Sequence, residues 1–481
     1  MHLLKRIPLA IPRALCVAGS VLILAACQPN TLRPDQSAEV MPENGVFSYQ
    51  LDNGMKILVQ PDHRSPVVVS QVWYRVGGSY EYPGITGVSH ALEHMMFKGT
   101  EKLEPGEFSK IIAANGGSEN AFTGKDYTAY FQRIASDRLE LCLKHEADRM
   151  RNLQLSEAEF KKEIEVIKEE RRTRTDDNPT SLTYEQFNAT AFMNAAYQQP
   201  IIGWMDDLHN MQLSDLSEWY QTWYAPNNAT LIVAGDVQPQ QVYHWAEQYF
   251  GPLQPSQIEA PKPRHEVAQL GERRIDVKAP AKIPYLLMGY KVPVLNTAEA
   301  EWEVYALEVL ASVLDGGDSS RLSRSLVRQQ EIAASVGAGY DPYARQQTLF
   351  LFDAAPRDGH SLGGLELAIK AEINKLQQQA PDNSELERVK AQVMAADVYE
   401  KDSVFYQAMQ LGILETVGLG WQRKGEYLQK IQQVTAEQVQ QVAQKYLRDD
   451  QLTVAMLQPQ PIESSGAAPR AGATAGGRHG H

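Results

Sequence analysis

The run His90-Ala91-Leu92-Glu93-His94 sets two imidazoles four residues apart, with a carboxylate beside the second. Positions i and i+4 of a helix share a face, so His90 and His94 can grip one metal ion from a single turn. Glu93 follows His90 by three residues and lies on the same side, within reach of a water at that metal, where it can act as a base. The chain has only eleven histidines in 481 residues, so a chance match of this order is rare. Both histidines also interrupt an apolar stripe, Val88, Ala91, Leu92, Met95 and Met96. A ligand role accounts for two polar rings there more readily than core packing does.

The order H-x-x-E-H inverts the commoner zinc motif. A catalytic zinc site takes three protein ligands and keeps one position open, so a third ligand must come from another helix. The helical pattern Ser156–Thr175 carries Glu157, Glu159, Glu163, Glu165, Glu169 and Glu170. By charge alone most of these belong to a solvated face. Glu163 and Glu170 are two turns apart on one face and could line one wall of a groove. The pattern alone does not say which glutamate turns inward.

The elements that must hold these groups read as one unit written twice. Phe47–Val59 predicts a hairpin turning at Asp52-Asn53-Gly54. Val67–Val76 and Tyr127–Ile134 predict strands, and Val88–Phe97, Pro105–Asn115, Asp137–Asn152 and Leu213–Trp223 predict helices, before a strand at Ala229–Gly235. In the later half Pro284–Val292 matches the Val-rich strand, Tyr305-Ala-Leu-Glu308 echoes His90-Ala-Leu-Glu93, and Val434–Tyr446 with Leu452–Leu457 repeats the last helix and strand. Tyr305 follows His90 by 215 residues and Tyr446 follows Tyr224 by 222, so two independent anchors give nearly one period. The expected fold is α+β, with two homologous domains, each an antiparallel sheet packed with helices. The domains are residues 45–251 and 275–460, joined by a Pro- and charge-rich linker at 252–274.

Composition is that of an ordinary globular protein, 43% hydrophobic and 22% charged. A net charge of −13 excludes nucleic acid as the main partner. Residues 1–26 read as a secretory signal: Lys5, Arg6 and Arg13 precede an apolar run too short to span a bilayer. That run ends Leu24-Ala25-Ala26-Cys27, which resembles the bacterial lipobox and implies cleavage before Cys27 and acylation of that residue. Gln28, where an Asp would mark retention, directs the expectation to the outer membrane, with the lipid as the sole membrane anchor. Residues 27–44 read as a tether and 461–481 as a disordered tail. Cys142 is the one cysteine left in the folded part and sits in an apolar helical stripe, which reads as core.

Beyond the pentapeptide, the chain resembles the insulinase, pitrilysin and mitochondrial processing peptidase family of zinc peptidases. The resemblance rests on His90–His94 with Phe97-Lys98-Gly99-Thr100, on Asn120-Ala121-Phe122-Thr123 and Tyr127–Phe131, and on Glu163–Arg171. It continues through Pro200-Ile-Ile-Gly-Trp204, Tyr224-Ala-Pro-Asn-Asn228, Gly235-Asp236 and Gly316–Leu322, covering about residues 45–458. It implies a clamshell of two domains and one Zn²⁺ per chain held by His90, His94 and Glu170. It implies Glu93 as general base with Glu163 as a supporting carboxylate. Asn120, Ala121, Phe122 and Thr123 would lie beside a peptide substrate, and the strand after them would offer an edge to which the peptide adds.

The second domain lacks the metal ligands: Tyr305 and Val309 stand where His90 and His94 stand in the first. Arg328 fits the arginine that this half offers to substrate in the family, but Ala334 occupies the place of the companion tyrosine and Tyr340 is out of register. The resemblance therefore also implies a homodimer, or a heterodimer with a metal-less paralogue. The expected activity is endopeptidase cleavage of peptides or unfolded segments in the periplasm. The alternative is a non-catalytic or partner-dependent subunit.

Overall fold

The computed structural model describes residues 44–461 except Ala260 and Pro263. The signal segment, Cys27, the tether apart from Asn44 and the tail after Pro461 lie outside the described residues. Among the described residues no helix is long and apolar enough to cross a membrane.

Six strands, β1 (Phe47–Gln50), β2 (Lys56–Pro61), β3 (Val67–Tyr74), β4 (Ser118–Thr123), β5 (Thr128–Ala135) and β6 (Ala229–Gly235), form a sheet in the order β1-β2-β6-β3-β5-β4. Five more, β7 (Arg273–Pro280), β8 (Tyr285–Val292), β9 (Ala333–Gly339), β10 (Thr348–Pro356) and β11 (Leu452–Gln460), form a second in the order β7-β11-β8-β10-β9. Without the extra edge strand β1 the two orders are the same. The repeat read from the sequence is thus a repeat of topology. The helix Val88–Met95 between β3 and β4 has its counterpart in Glu301–Asp315 between β8 and β9.

Two details differ from expectation. Each sheet holds one parallel pair, β2 with β6 and β7 with β11, within an otherwise antiparallel array. In each half the two paired strands open and close the unit, and the long helical excursion between them lets the chain return in the same direction. The strand expected to offer a free edge, β5, is paired on both sides, with β3 and β4. The edge nearest the metal ligands is β4 itself.

The two halves exchange helices. Pro179–Ala191, in the first half, packs on the second sheet: Phe187, Ala191 and Phe192 share a core with Leu287, Leu349 and Ala455. Val404–Thr416, in the second half, packs on the first sheet: Ala408 and Leu411, with Trp421, meet Val69, Trp73 and Ile232. Glycines make room for both crossings. A Cβ on Gly412 would lie 2.0 Å from the Trp73 ring, and one on Gly289 would lie 2.7 Å from the Phe187 ring. The linker is pinned as well, because Glu266 accepts the backbone N–H groups of Met193, Asn194 and Ala195 and pairs with Lys291 at 2.6 Å. Cys142 is buried, and burial raises its thiol pKa to about 12.

Because Trp73 is boxed in by the core, Gly412→Ala should destabilise the protein by about 1–3 kcal/mol through overpacking. Gly363→Ala, at an open helical position, should be neutral or stabilising by roughly 0.5–1 kcal/mol. Urea midpoints for the two variants measure the difference, and equal midpoints would contradict the tight crossing.

Candidate metal centre

The helix Val88–Met95 exists because its apolar side, Val88, Ala91, Leu92 and Met95, is buried in the first core. Its entry is Gly87, with φ +88, where a Cβ would meet Ile202 O at 2.6 Å. No local side chain caps it. Glu81 does so from a loop, accepting Gly87 N–H at 2.7 Å and Ser89 N–H at 2.9 Å. A carboxylate at a helix N-terminus also favours the helix dipole. Burial outweighs these bonds and raises the Glu81 carboxyl to about 7.

On the other side, His90 and His94 stack edge to face with centroids 4.6 Å apart. Glu170, from the helix Glu157–Arg171, presents Oε2 3.8 Å from His90 Nε2 and 3.5 Å from His94 Nε2. One ligand atom from each of the three residues lies within 4.8 Å of the others. Two imidazole nitrogens and one carboxylate oxygen are a donor set that zinc takes in catalytic sites. Glu163, seven residues before Glu170, accepts His94 Nδ1–H at 2.9 Å and pairs with Lys98 Nζ at 2.5 Å. That contact sets the tautomer that leaves Nε2 free to bind metal. Of the six glutamates on this helix, the pair singled out from spacing are the two that meet the histidines.

Electrostatics follow this geometry. Burial alone would lower the His94 pKa, but its hydrogen bonds to Glu163 and Glu170 raise it to about 9 when no metal is bound. Burial likewise pushes Glu170 upward, yet His94, His90 and Arg174 together bring it down to about 2. Glu163 is held below the ordinary range by His94 and Lys98 against the effect of its burial. Glu93 is pushed up by burial, partly offset by the Thr123 hydroxyl, which donates to Oε2 at 2.5 Å.

The expected substrate segment divides between the two faces of β4. Ala121 is core and Thr123 reaches Glu93, whereas Phe122 packs against Trp73 with centroids 5.3 Å apart. The backbone of this edge strand, rather than the Ala121 and Phe122 side chains, is what an extended peptide can meet; Asn120 is half-buried along it. Arg328 is not brought to the site. It lies exposed at the end of the π-helical turn Ser323–Gln329 and does not line the cavity described next. In the second half Tyr305 and Val309 are core residues, and Glu308, the counterpart of Glu93, accepts the Tyr427 hydroxyl.

A cavity of about 1030 Å³ opens beside His90, Thr123 and Glu170 and is walled by both halves. Three residues around it escaped the sequence reading. Arg174 donates to the other oxygen of Glu170 at 2.8 Å. The two are four residues apart, neighbours on one helical face, and Arg174 sits in a π-helical stretch, Arg172–Asp176, a distortion common at functional sites. Lys125 reaches backbone carbonyls of Tyr197 and Gln199. Arg345, from the loop between β9 and β10, pairs with Asp126 at 3.3 Å and with Ser79 Oγ at 2.7 Å, and so ties that loop to the site. The Glu-Arg-Arg-Thr-Arg run after Glu169 was the only signal for Arg174; Lys125 depends on a contact distant in sequence, and Arg345 on contacts between the halves.

Residues 56–204 match the family described as Insulinase (Peptidase family M16), and residues 210–393 match the Peptidase M16 inactive domain. The zinc protease PqqE of Helicobacter pylori is 31% identical over 418 residues, covering 86% of this chain and 92% of that one. The chain belongs to the insulinase (M16) family of peptidases. A protease from Helicobacter pylori with a solved structure superposes with TM-score 0.82 at 31% identity, covering 86% of this M16 chain and 99% of that one. The periplasmic protease PqqL of Escherichia coli, 18% identical, has the same fold with TM-score 0.74 over 88% of this chain and 48% of its own. An uncharacterized zinc protease of Bacillus subtilis, YmxG, is 25% identical over 85% of this chain and 98% of its own.

Partners that orient a metal ligand typically change affinity by about 10–100-fold. Glu163→Ala and Arg174→Ala should each weaken zinc binding by about that factor, read by competition with a chromophoric chelator, while secondary structure is unchanged. Wild-type affinity in both variants would contradict the roles given to these residues.

Proposed function

We propose that this protein is a zinc-dependent endopeptidase that cuts peptides or unfolded polypeptide segments in the bacterial periplasm, anchored to the outer membrane by lipid on Cys27. The observation that carries the reading is the convergence of His90, His94 and Glu170 within 4.8 Å, with Glu93 on the same helix, at the wall of a large cavity. Relatives named zinc proteases support the cofactor. The signal and lipobox-like run support the location.

Zinc held by these three residues supplies Lewis acidity, lowering the pKa of a water and polarising the scissile carbonyl. The rest is done by the chain. Glu93, buried and fixed by Thr123, takes a proton from the attacking water and returns it to the departing amine. Burial raises its pKa, which suits a group that must accept and then give up a proton. Glu163 holds the His94 ring, and Arg174 holds Glu170. The β4 edge gives an extended substrate backbone a strand to pair with, so recognition there reads main chain first.

A second chain is part of the proposal, either another copy or a metal-less paralogue. Arg328 lies away from this chain's own cavity, and the fold spans 48% of the PqqL chain, which leaves room in that protein for two such units. Arg328 of one chain would then serve the metal site of the other.

Glu93→Gln should keep its zinc and lose kcat by about 10²–10⁴-fold, measured on an unfolded protein substrate with and without chelator. Mixing inactive Glu93→Gln chains with Arg328→Ala chains should restore cleavage if the arginine acts across chains. Undiminished cleavage by Glu93→Gln would overturn the mechanism.

A further inference from the structure

The segment Pro200–Trp204 carries no side chain that could hold a metal or move a proton, yet it touches both helices that supply the metal ligands. On one side it lies against the entry to the helix Val88–Met95. Gly203 has φ +87, and a Cβ there would lie 2.3 Å from Thr86 O and 2.8 Å from Gly87 Cα, so two glycine backbones are in direct contact. Trp204 N–H donates to Thr86 Oγ1 at 3.0 Å, and the Thr86 hydroxyl in turn donates to Asp207. His90 follows Thr86 by four residues.

On the other side the segment is held by Arg171, the residue after Glu170. Arg171 is 4% exposed. Its Nη1 donates to Gly203 O at 2.9 Å, and its two terminal nitrogens meet the two Glu185 oxygens at 2.8 and 2.9 Å. The guanidinium also lies over the Trp204 ring, 5.9 Å from the centroid. Glu185 stands on the helix Pro179–Ala191, which is packed on the second sheet. The Glu185 pair already balances the charge. The bond to Gly203 is an additional one, and a planar fork can serve a carboxylate and a carbonyl at once. Glu170 is the penultimate residue of its regular helix, just before the backbone widens to π geometry, so a tie at this point steadies the end that carries it.

We infer that Arg171 is a positioning residue of the metal centre. It fixes the end of the helix that carries Glu170 to Gly203, and Gly203 fixes the start of the helix that carries His90 and His94. The gaps between the ligands, 3.8 Å from Glu170 Oε2 to His90 Nε2 and 3.5 Å to His94 Nε2, are set through this segment as well as by direct packing of the two helices. The inference rests on the zinc peptidase reading above and adds to it a residue that touches neither metal nor substrate. Because Glu185 belongs to a helix clamped on the second sheet, the same path couples the metal site to the second half.

Two full-length variants test it. Replacing a buried ion pair by apolar residues of similar volume is often neutral or stabilising. Arg171→Met combined with Glu185→Met should therefore fold and keep its urea midpoint while losing the bond to Gly203. Arg171→Lys keeps a charge beside Glu185 but not the fork. Both should bind zinc about 10–100-fold more weakly, the range found when groups that orient a metal ligand are removed, read by competition with a chromophoric chelator. With Co²⁺ in place of zinc, both should shift the visible absorption bands, which report ligand geometry. Arg321 and Glu385 pair at 2.6 Å in the second half, and replacing both by Met should leave affinity and spectrum as in the wild type. Should the Arg171 and Glu185 double variant fail to fold, Arg171→Lys decides alone. Wild-type affinity and spectrum in Arg171→Lys would reduce Arg171 to a counter-charge for Glu185 and overturn the inference, even in a protein that cleaves. Weakened, spectrally altered variants of a protein that never cleaves would uphold the positioning role and overturn the peptidase reading. A wild-type protein that binds no zinc would overturn both.

Discussion

Three ionisable side chains on one short helix, His90, Glu93 and His94, are turned into the protein, and offsetting their lost hydration organises everything around them. His90 and Glu93 are only 7% and 8% exposed. Burying a charge without a partner costs several kcal/mol, so each group has one. Thr123 serves Glu93, Glu163 serves His94, Glu170 faces both imidazoles, and Glu81 caps the helix that carries them. Lys98 and Arg174 then neutralise the two supporting glutamates. These partners come from a loop, an edge strand and a second helix. The site is complete only once β4 and the helix Glu157–Arg171 are packed around the helix Val88–Met95.

The second half contributes no ligand, yet the site depends on it. The helix beginning at Pro179 follows directly on the π-helical turn that carries Arg174, and it is clamped on the second sheet through Phe187. The reciprocal helix, Val404–Thr416, closes the back of the first sheet over Trp73. Each half thus supplies a wall that the other needs, and the cavity at their junction is bounded by two packed cores. Arg345 adds a polar tie at the same junction. The arrangement accounts for a duplicated unit in which one copy has core residues, Tyr305 and Val309, where the other has metal ligands, and serves as packing partner.

How much of this was legible in the sequence follows from how local each signal is. His90, Glu93 and His94 could be read because helical spacing alone puts them together. Glu163 and Glu170 could be narrowed to a pair by the same periodicity, and the resemblance to a family supplied Glu170's role. The duplication was readable because strand and helix order recurs with one period. The exchanged helices escaped, since their apolar faces are completed only by a sheet in the other half and carry no strong pattern of their own. The free edge was misassigned because strand order within a sheet is a long-range property; Tyr127–Ile134 has the stronger strand signal, but β4 is the strand at the end of the sheet, paired on one side only. Arg328 fitted the family pattern but does not line the cavity, whereas Tyr340, set aside as out of register, does. Local register does not determine where a loop between two strands will fold.

The central claim is that His90, His94 and Glu170 together hold one zinc ion, with Glu93 beside it. The most direct measurement is a crystal structure of the zinc-loaded protein with anomalous data collected at the zinc edge. The account predicts one strong peak per chain at about 2.0–2.2 Å from a nitrogen of His90, a nitrogen of His94 and an oxygen of Glu170, with Glu93 outside the coordination sphere. A peak held by other residues, or none in protein that has been given zinc, would contradict it.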